Sequence, residues 1–306
     1  MLLDFPPPPA SRLPRMLRLR DALTDGAGRS VTSLRVAVTD LCNLPCAHCP
    51  QEAPTQPLGR RELLQLVKTF TRLGIRQVRL SGGEPLLRRD LEILVAGISP
   101  EVEGHLHLAT NGLRLARRAR SLRDAGLSGV SVRLEAADRR AFQRLAGRDA
   151  LLQVLAGVDA ARAAGLPVGL TARVRRGWNE DQIVPLARLA RVEGLPLRFT
   201  GMPVGSEFLT ETIRDRLREA GEEGPDISAA SPGDSCDQCG RVCLTSRGEV
   251  KPCLLGGPAL DLAGALRNRA SHEELVRLIR GALQAKRACP AVPEAAFAGA
   301  LEQVGG

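Results

Sequence analysis

From Ser33 onward, short runs of branched apolar residues alternate with longer stretches of helical periodicity, and this alternation constrains the fold of the 306-residue chain most. The pattern predicts strands at 34–39, 77–81, 105–109, 129–134, 167–174 and 196–200. It predicts helices at 60–73, 89–98, 114–125, 139–146, 149–164 and 180–193. Strands separated by helices of this length run parallel, with right-handed crossovers. Six such units fit an α/β fold of the partial (β/α)6, TIM-like kind, whose site lies at the C-terminal ends of the strands. The stretch from Glu219 to Asp234, rich in Gly, Glu, Ser and Pro, reads as a linker to a smaller C-terminal module. The expected boundaries are therefore 1–30 for an N-terminal tail and entry segment, 31–218 for the barrel and 219–306 for the module. Pro6 to Pro9 make the tail irregular or extended.

Cys42, Cys46 and Cys49 follow the first predicted strand with the spacing C-x3-C-x2-C. Three thiolates this close hold three corners of an iron–sulfur cube and leave its fourth iron without a protein ligand, which makes that iron a reaction site. A structural zinc site wants four ligands, and His48 is the nearby candidate for the fourth. The spacing favours the cluster. Further on, Val78-Arg-Leu-Ser-Gly-Gly-Glu-Pro85 reads as a strand ending in two glycines and a carboxylate. Gly82 and Gly83 allow close backbone approach to a ligand, and Glu84 can accept from an ammonium group. Thr110 and Asn111 sit at another strand end, where ligand contacts compete with a plain turn role.

A second group contains Cys236 and Cys239 as a C-x2-C pair, with Cys253 after thirteen intervening residues. Residues 244–252 read as a hairpin with Arg247-Gly248 at its turn, which returns Cys253 towards the pair. The trio suits a second cluster. Its rival is a four-cysteine zinc site completed by Cys243.

In this collinear order the motifs resemble the radical S-adenosylmethionine superfamily and, within it, the GTP 3′,8-cyclase family, also called molybdenum cofactor biosynthesis protein A. The likeness runs from about Leu23 to the C-terminus. It is carried by Leu-Arg-Val-Ala-Val-Thr-Asp (34–40), residues 79–90, Ala-Thr-Asn-Gly (109–112), Arg-Gly-Trp-Asn (176–179), Leu-Arg-Phe (197–199) and Met-Pro-Val-Gly (202–205). Both cysteine groups and the terminal Gly305-Gly306 complete it.

The resemblance implies two [4Fe-4S] clusters, S-adenosyl-L-methionine, and conversion of GTP to 3′,8-cyclo-7,8-dihydro-GTP in molybdopterin biosynthesis. It implies that the first cluster binds the cofactor, whose methionyl end meets Gly82, Gly83 and Glu84, with Thr110 and Asn111 beside it. No catalytic residue beyond the cluster ligands is implied. GTP would lie between the clusters, its phosphates gripped by Arg35, Arg79 and Arg241, with Arg198 nearby, and Gly305-Gly306 would thread into the site. An external electron donor is required, and a homodimer is compatible.

The chain departs from the family pattern at identifiable positions. Cys239-Gly-Arg-Val-Cys243 puts a thiol where an arginine is usual, so Cys243 is a further candidate ligand of the second cluster. Gln77 and Gly169 stand in place of lysines, Arg133 and Glu135 in place of Ser and Asp, and Phe199-Thr-Gly201 in place of Phe-Ile-Glu. Two other readings therefore stand beside the cyclase. One is a divergent two-cluster radical enzyme acting on a peptide or another nucleotide. The other is a non-catalytic iron–sulfur electron-transfer protein, which would have no need of Gly-Gly-Glu-Pro.

Eight cysteines, grouped at metal-ligand spacings in a chain this long, argue against a secreted disulfide framework and for a reducing cytoplasm. No apolar run nears the roughly twenty residues that span a bilayer. Met1 to Arg20 carry prolines and arginines where a signal peptide needs an apolar core. The formal charge of +9 suits an anionic partner. With 2% aromatic residues, no tyrosine and no helix-turn-helix pattern, a nucleoside triphosphate fits better than nucleic acid.

Overall fold

The computed structural model describes residues 22–46, 49, 56–201, 206–224, 226–230, 239–253 and 259–286. His48, Cys236, Gly305, Gly306, the Pro6–Pro9 run and Met202 to Gly205 lie outside the described residues. Strands and helices alternate as β1 (Ser33–Ala37), α1 (Arg60–Arg72), β2 (Gln77–Ser81), α2 (Leu91–Ile98), β3 (His105–Thr110), α3 (Leu115–Asp124) and β4 (Gly129–Arg133). They continue with α4 (Arg139–Ala146), α5 (Leu151–Ala163), β5 (Val168–Val174), α6 (Ile183–Glu193), β6 (Leu197–Gly201), α7 (Ser206–Glu219) and β7 (Ile227–Ala230). The chain then forms β8 (Arg241–Leu244), β9 (Glu249–Lys251), β10 (Leu260–Asp261), α8 (Leu262–Arg267) and α9 (His272–Gln284).

All ten strands belong to one sheet, in the order β10-β9-β8-β1-β2-β3-β4-β5-β6-β7. From β8 across to β7 every pairing is parallel, while β8, β9 and β10 pair antiparallel. The result is the α/β partial barrel expected from the strand–helix alternation. Two details differ. The segment read as a linker carries β7, a short strand pairing with β6, and β8 of the second cysteine group lies directly beside β1. Gly, Glu, Ser and Pro mark the flanks of β7, and an edge strand this short leaves no apolar periodicity to read.

Strand parity sorts the side chains. Leu34, Val36, Val78, Leu80, Leu106, Leu108, Val130, Val132, Leu170, Leu197 and Phe199 are buried and form the core with the helices. The helices present matching stripes: Leu63, Leu66, Val67 and Phe70 on α1, and Leu91, Leu94, Val95 and Ile98 on α2. The alternate positions on the same strands are Arg35, Arg79, His107, Arg133, Thr171, Arg173 and Arg198, so the opposite face of the sheet is polar and strongly basic. Among the described residues, no helix is long and apolar enough to cross a membrane.

Candidate active site

The loop that carries Cys42, Cys46 and Cys49 leaves the C-terminal end of β1 and is fastened at both ends. Arg88 does most of this: its guanidinium donates to the carbonyls of Val38 at 2.8 Å and Leu58 at 3.1 Å, and to Asp90 at 2.8 Å. The β8–β9 turn adds a second clamp. Ser246 Oγ donates to Asp40 Oδ1, and the Leu58 amide donates to the Ser246 carbonyl at 2.7 Å.

Gly82 and Gly83 lie against the same loop. Gly83 N donates to Thr39 O at 2.8 Å, and Glu84 N donates to Leu41 O at 2.7 Å. A Cβ on Gly82 would meet Thr39 O at 2.2 Å, and one on Gly83 would meet the Asp40 and Leu41 carbonyl oxygens at 2.5 Å. The close backbone approach these glycines permit is thus to the chain's own cysteine loop.

Glu84 is fully buried and ties its own turn to the end of β3. Its carboxylate accepts from Thr110 Oγ1 at 2.6 Å, Asn111 N at 2.7 Å and Leu86 N at 3.0 Å. Burial pushes its pKa above the usual carboxylate range, against the pull of those donors. Asn111 donates to Asn43 Oδ1 at 2.8 Å and lies 4.0 Å from Cys42 Sγ. Glu84, Thr110, Asn111 and the cysteine loop therefore form one assembly.

Burial also pushes the Cys42 thiol up and the Cys46 thiol up to about 12. Around Cys46, Glu135, Cys49 and Cys42 add negative charge while Arg133 opposes it. Such thiols ligate a metal as thiolates, giving up their protons to solvent as they bind. Among the described residues no three His, Cys, Asp or Glu side chains could hold a single metal ion. A cubane makes a looser demand, since each thiolate binds a different iron.

Behind the loop, the basic face forms the lumen of the half-barrel. Arg35 stands beside Arg79 in the β1–β2 register, and Arg79 beside His107. Burial lowers the Arg35 guanidinium to about 10; Cys243 opposes this, while Arg241, Arg133 and Arg173 add to it. Burial lowers Arg79 further, to about 9, with Arg35, Arg133, Arg241 and Arg198 reinforcing the effect. Arg79 Nε is buried without a hydrogen-bond partner among the described residues. Guanidiniums gathered this way repel one another, and a multiply charged anion is the ligand that converts the repulsion into binding.

His107 sits in this basic lumen as a neutral imidazole, its pKa lowered to about 4 by burial and then by Arg79 and His105. An unfolded chain protonates it near its ordinary value, about 6.5. Its stabilising contribution is therefore complete above that value and is lost as the pH falls towards 4, by at most about 3 kcal/mol. Urea midpoints at pH 7 and pH 4.5 should converge more closely in His107→Gln than in the unsubstituted protein.

At the second cysteine group, Cys243 is buried on β8, paired with Arg35 on one side and Lys251 on the other. Burial raises the Cys243 thiol to about 11, against the pull of Arg35, Arg241 and Lys286. Burial alone would raise the Cys239 thiol too, yet Arg241 and Lys286 bring it below its ordinary value. Cys253 follows β9 two residues after Lys251.

The pattern of the Radical SAM superfamily matches residues 36–190, and that of Molybdenum Cofactor Synthesis C matches residues 227–290. GTP 3′,8-cyclase of Corynebacterium glutamicum is 38% identical, covering 87% of this chain and 83% of that protein. The chain belongs to the GTP 3′,8-cyclase family of radical SAM proteins. The family member from Erythrobacter litoralis is 34% identical over 86% of this chain and 91% of its own length. Molybdenum cofactor biosynthesis protein 1 of Drosophila melanogaster is 33% identical over 89% of the chain and 55% of that longer protein. Among solved structures, Streptococcus suis SuiB bound to S-adenosylmethionine superimposes with a TM-score of 0.63. The likeness covers 82% of this chain and 68% of SuiB at 14% identity, a likeness of fold.

Against the family pattern, Arg133 and Arg173 are the lumen residues that sequence reading passed over. In the sequence Arg133 stands out only as the replacement of a serine. Counting every second residue along each strand would have placed it with Arg35, Arg79 and Arg198. Arg88 and Asn179 were likewise missed as fasteners: Asn179 Nδ2 donates to the carbonyls of Arg173 at 2.8 Å and Glu135 at 3.2 Å.

Proposed function

We propose that this protein is a radical SAM GTP 3′,8-cyclase that makes 3′,8-cyclo-7,8-dihydro-GTP for molybdopterin biosynthesis. The observation that supports the reading most is the arginine-lined lumen beneath the cysteine loop. It offers a polyanion several guanidinium forks a short distance from the three thiols.

Cys42, Cys46 and Cys49 would hold a [4Fe-4S] cluster, and their donor set fits it: three thiols on one loop, fastened by Arg88 and Ser246. With S-adenosylmethionine bound, the group would supply the electron for reductive cleavage of a carbon–sulfur bond, the radical chemistry of this family. Glu84 already accepts three hydrogen bonds, and a carboxylate has about four acceptor sites, so one remains for the cofactor's ammonium. The Gly82–Gly83 backbone and Asn111 flank that position, and Thr110 keeps the carboxylate oriented. Arg35, Arg79 and Arg241 grip phosphate oxygens, with Arg133, Arg173 and Arg198 completing the basic wall.

Cys236, Cys239 and Cys253, with Cys243 beside them, would hold the second cluster; Cys239 sits in a cationic pocket suited to a thiolate. Gly305-Gly306 would reach the substrate. An external reductant serves the protein in the cytoplasm, as a monomer or homodimer, without nucleic acid or membrane.

The test is anaerobic incubation of reconstituted protein with dithionite, S-adenosylmethionine and GTP. The expected result is GTP-dependent 5′-deoxyadenosine together with the cyclised nucleotide. Cofactor cleavage indifferent to GTP would overturn the substrate assignment.

A further inference from the structure

Lys286 follows α9 and is buried, 5% exposed. Its Nζ donates to the carbonyls of Arg241 at 2.7 Å and Cys239 at 3.0 Å, and it stands 3.6 Å from Cys239 Sγ. Asp25 Oδ2 lies 3.9 Å away, on a fully buried side chain that is already bonded by Arg29 Nε at 2.8 Å. The single ammonium thus joins the N-terminal turn, the start of β8 and the end of α9.

A tie between segments does not need a charge. Two carbonyls could be satisfied by a neutral amide, and burying an ammonium is costly unless negative charge is at hand. Asp25 meets only part of that need, because it is shared with Arg29 and is the most distant of the four contacts among the described residues. The remaining contact is the sulfur of Cys239. Hydrogen bonds to ligand sulfurs and net local charge are two of the levers that set the potential of an iron–sulfur centre.

We propose that Lys286 is a positioning residue for the second cluster, holding Cys239 by an N–H···S contact and raising the reduction potential of the cluster that Cys239 ligates. This rests on the two-cluster reading above. Its neighbour Asp25 has the opposite sign, so the two residues set the potential against each other.

The test is an EPR-monitored potentiometric titration of the anaerobically reconstituted full chain, compared with Lys286→Met and Asp25→Asn. The N-terminal cluster is recognised by the change of its signal on adding S-adenosylmethionine. Lys286→Met should move the midpoint of the other cluster to more negative potential, and Asp25→Asn should move it to more positive potential. The N-terminal midpoint should stay fixed in both. A merely structural tie would loosen the site in both variants and shift both midpoints the same way, or neither, and either outcome overturns the inference. If Lys286→Met fails to load iron, the positive shift in Asp25→Asn still decides, because that variant keeps the lysine. Iron content of one cluster per chain in the unsubstituted protein would overturn the two-cluster reading and this inference with it. Two clusters with unmoved midpoints would overturn this inference alone.

Discussion

Gly83→Ala should cost the protein about 3 kcal/mol of stability and reduce S-adenosylmethionine cleavage by roughly a hundredfold or more. The added methyl would meet the backbone oxygens of Asp40 and Leu41 at 2.5 Å and the Asp40 carbonyl carbon at 2.8 Å. None of these is the far end of a flexible side chain, so the loop itself must shift. That shift strains the Glu84 N to Leu41 O bond and carries Cys42, the next residue, out of register with Asn111. Gly82→Ala should be at least as severe, because its φ of +133° disfavours any side chain and its Cβ would meet Thr39 O at 2.2 Å. Gly281 in α9 is the control: among the described residues nothing lies within 4 Å of its Cβ, and alanine there should be neutral or stabilising by up to about 1 kcal/mol. Thermal melting and iron content check the set. Gly83→Ala melting with the unsubstituted protein and loading full iron would show that the loop does not depend on this contact.

The main strands were legible because parallel strands covered by helices need runs of branched apolar residues bounded by turn signals. The predicted 77–81 and 139–146 coincide with β2 and α4, and most other bounds fall within two residues. The helix predicted at 180–193 begins as a 3-10 turn at Glu180–Gln182 before α6, a difference that side-chain periodicity does not register. What could not be read was long-range. Ser246 meets Asp40 across 206 residues, and β8 pairs with β1 rather than packing apart from it. Gly169 and Cys243 stand where the family has basic residues, yet Arg133 and Arg173 supply charge to the same lumen. The chemistry of a face belongs to the set of residues on it, and that set appears only when strands are aligned by register.

Arg79→Met should separate stability from binding, raising one and lowering the other. In the unsubstituted protein Arg79 faces Arg35, Arg133, Arg241 and Arg198, and its Nε is buried without a partner among the described residues. Its folded pKa of about 9 lies below the ordinary 12.5. The unfolded chain therefore holds the proton more tightly between those values, and the cost to the fold is fully present at neutral pH, easing only above about 9. Methionine fills similar volume and removes the charge, so the ligand-free protein should gain about 1 kcal/mol, or a few degrees in melting temperature. GTP binding should weaken at least tenfold, since a charge-assisted bond to phosphate contributes about 1.5–3 kcal/mol. The increase in melting temperature that GTP produces should shrink, and so should the dependence of binding on salt. Melting curves with and without GTP, at low and high salt, check both halves. A ligand-free variant less stable than the unsubstituted protein would mean that Arg79 holds the barrel together; unchanged GTP affinity would mean that the lumen is not the phosphate site.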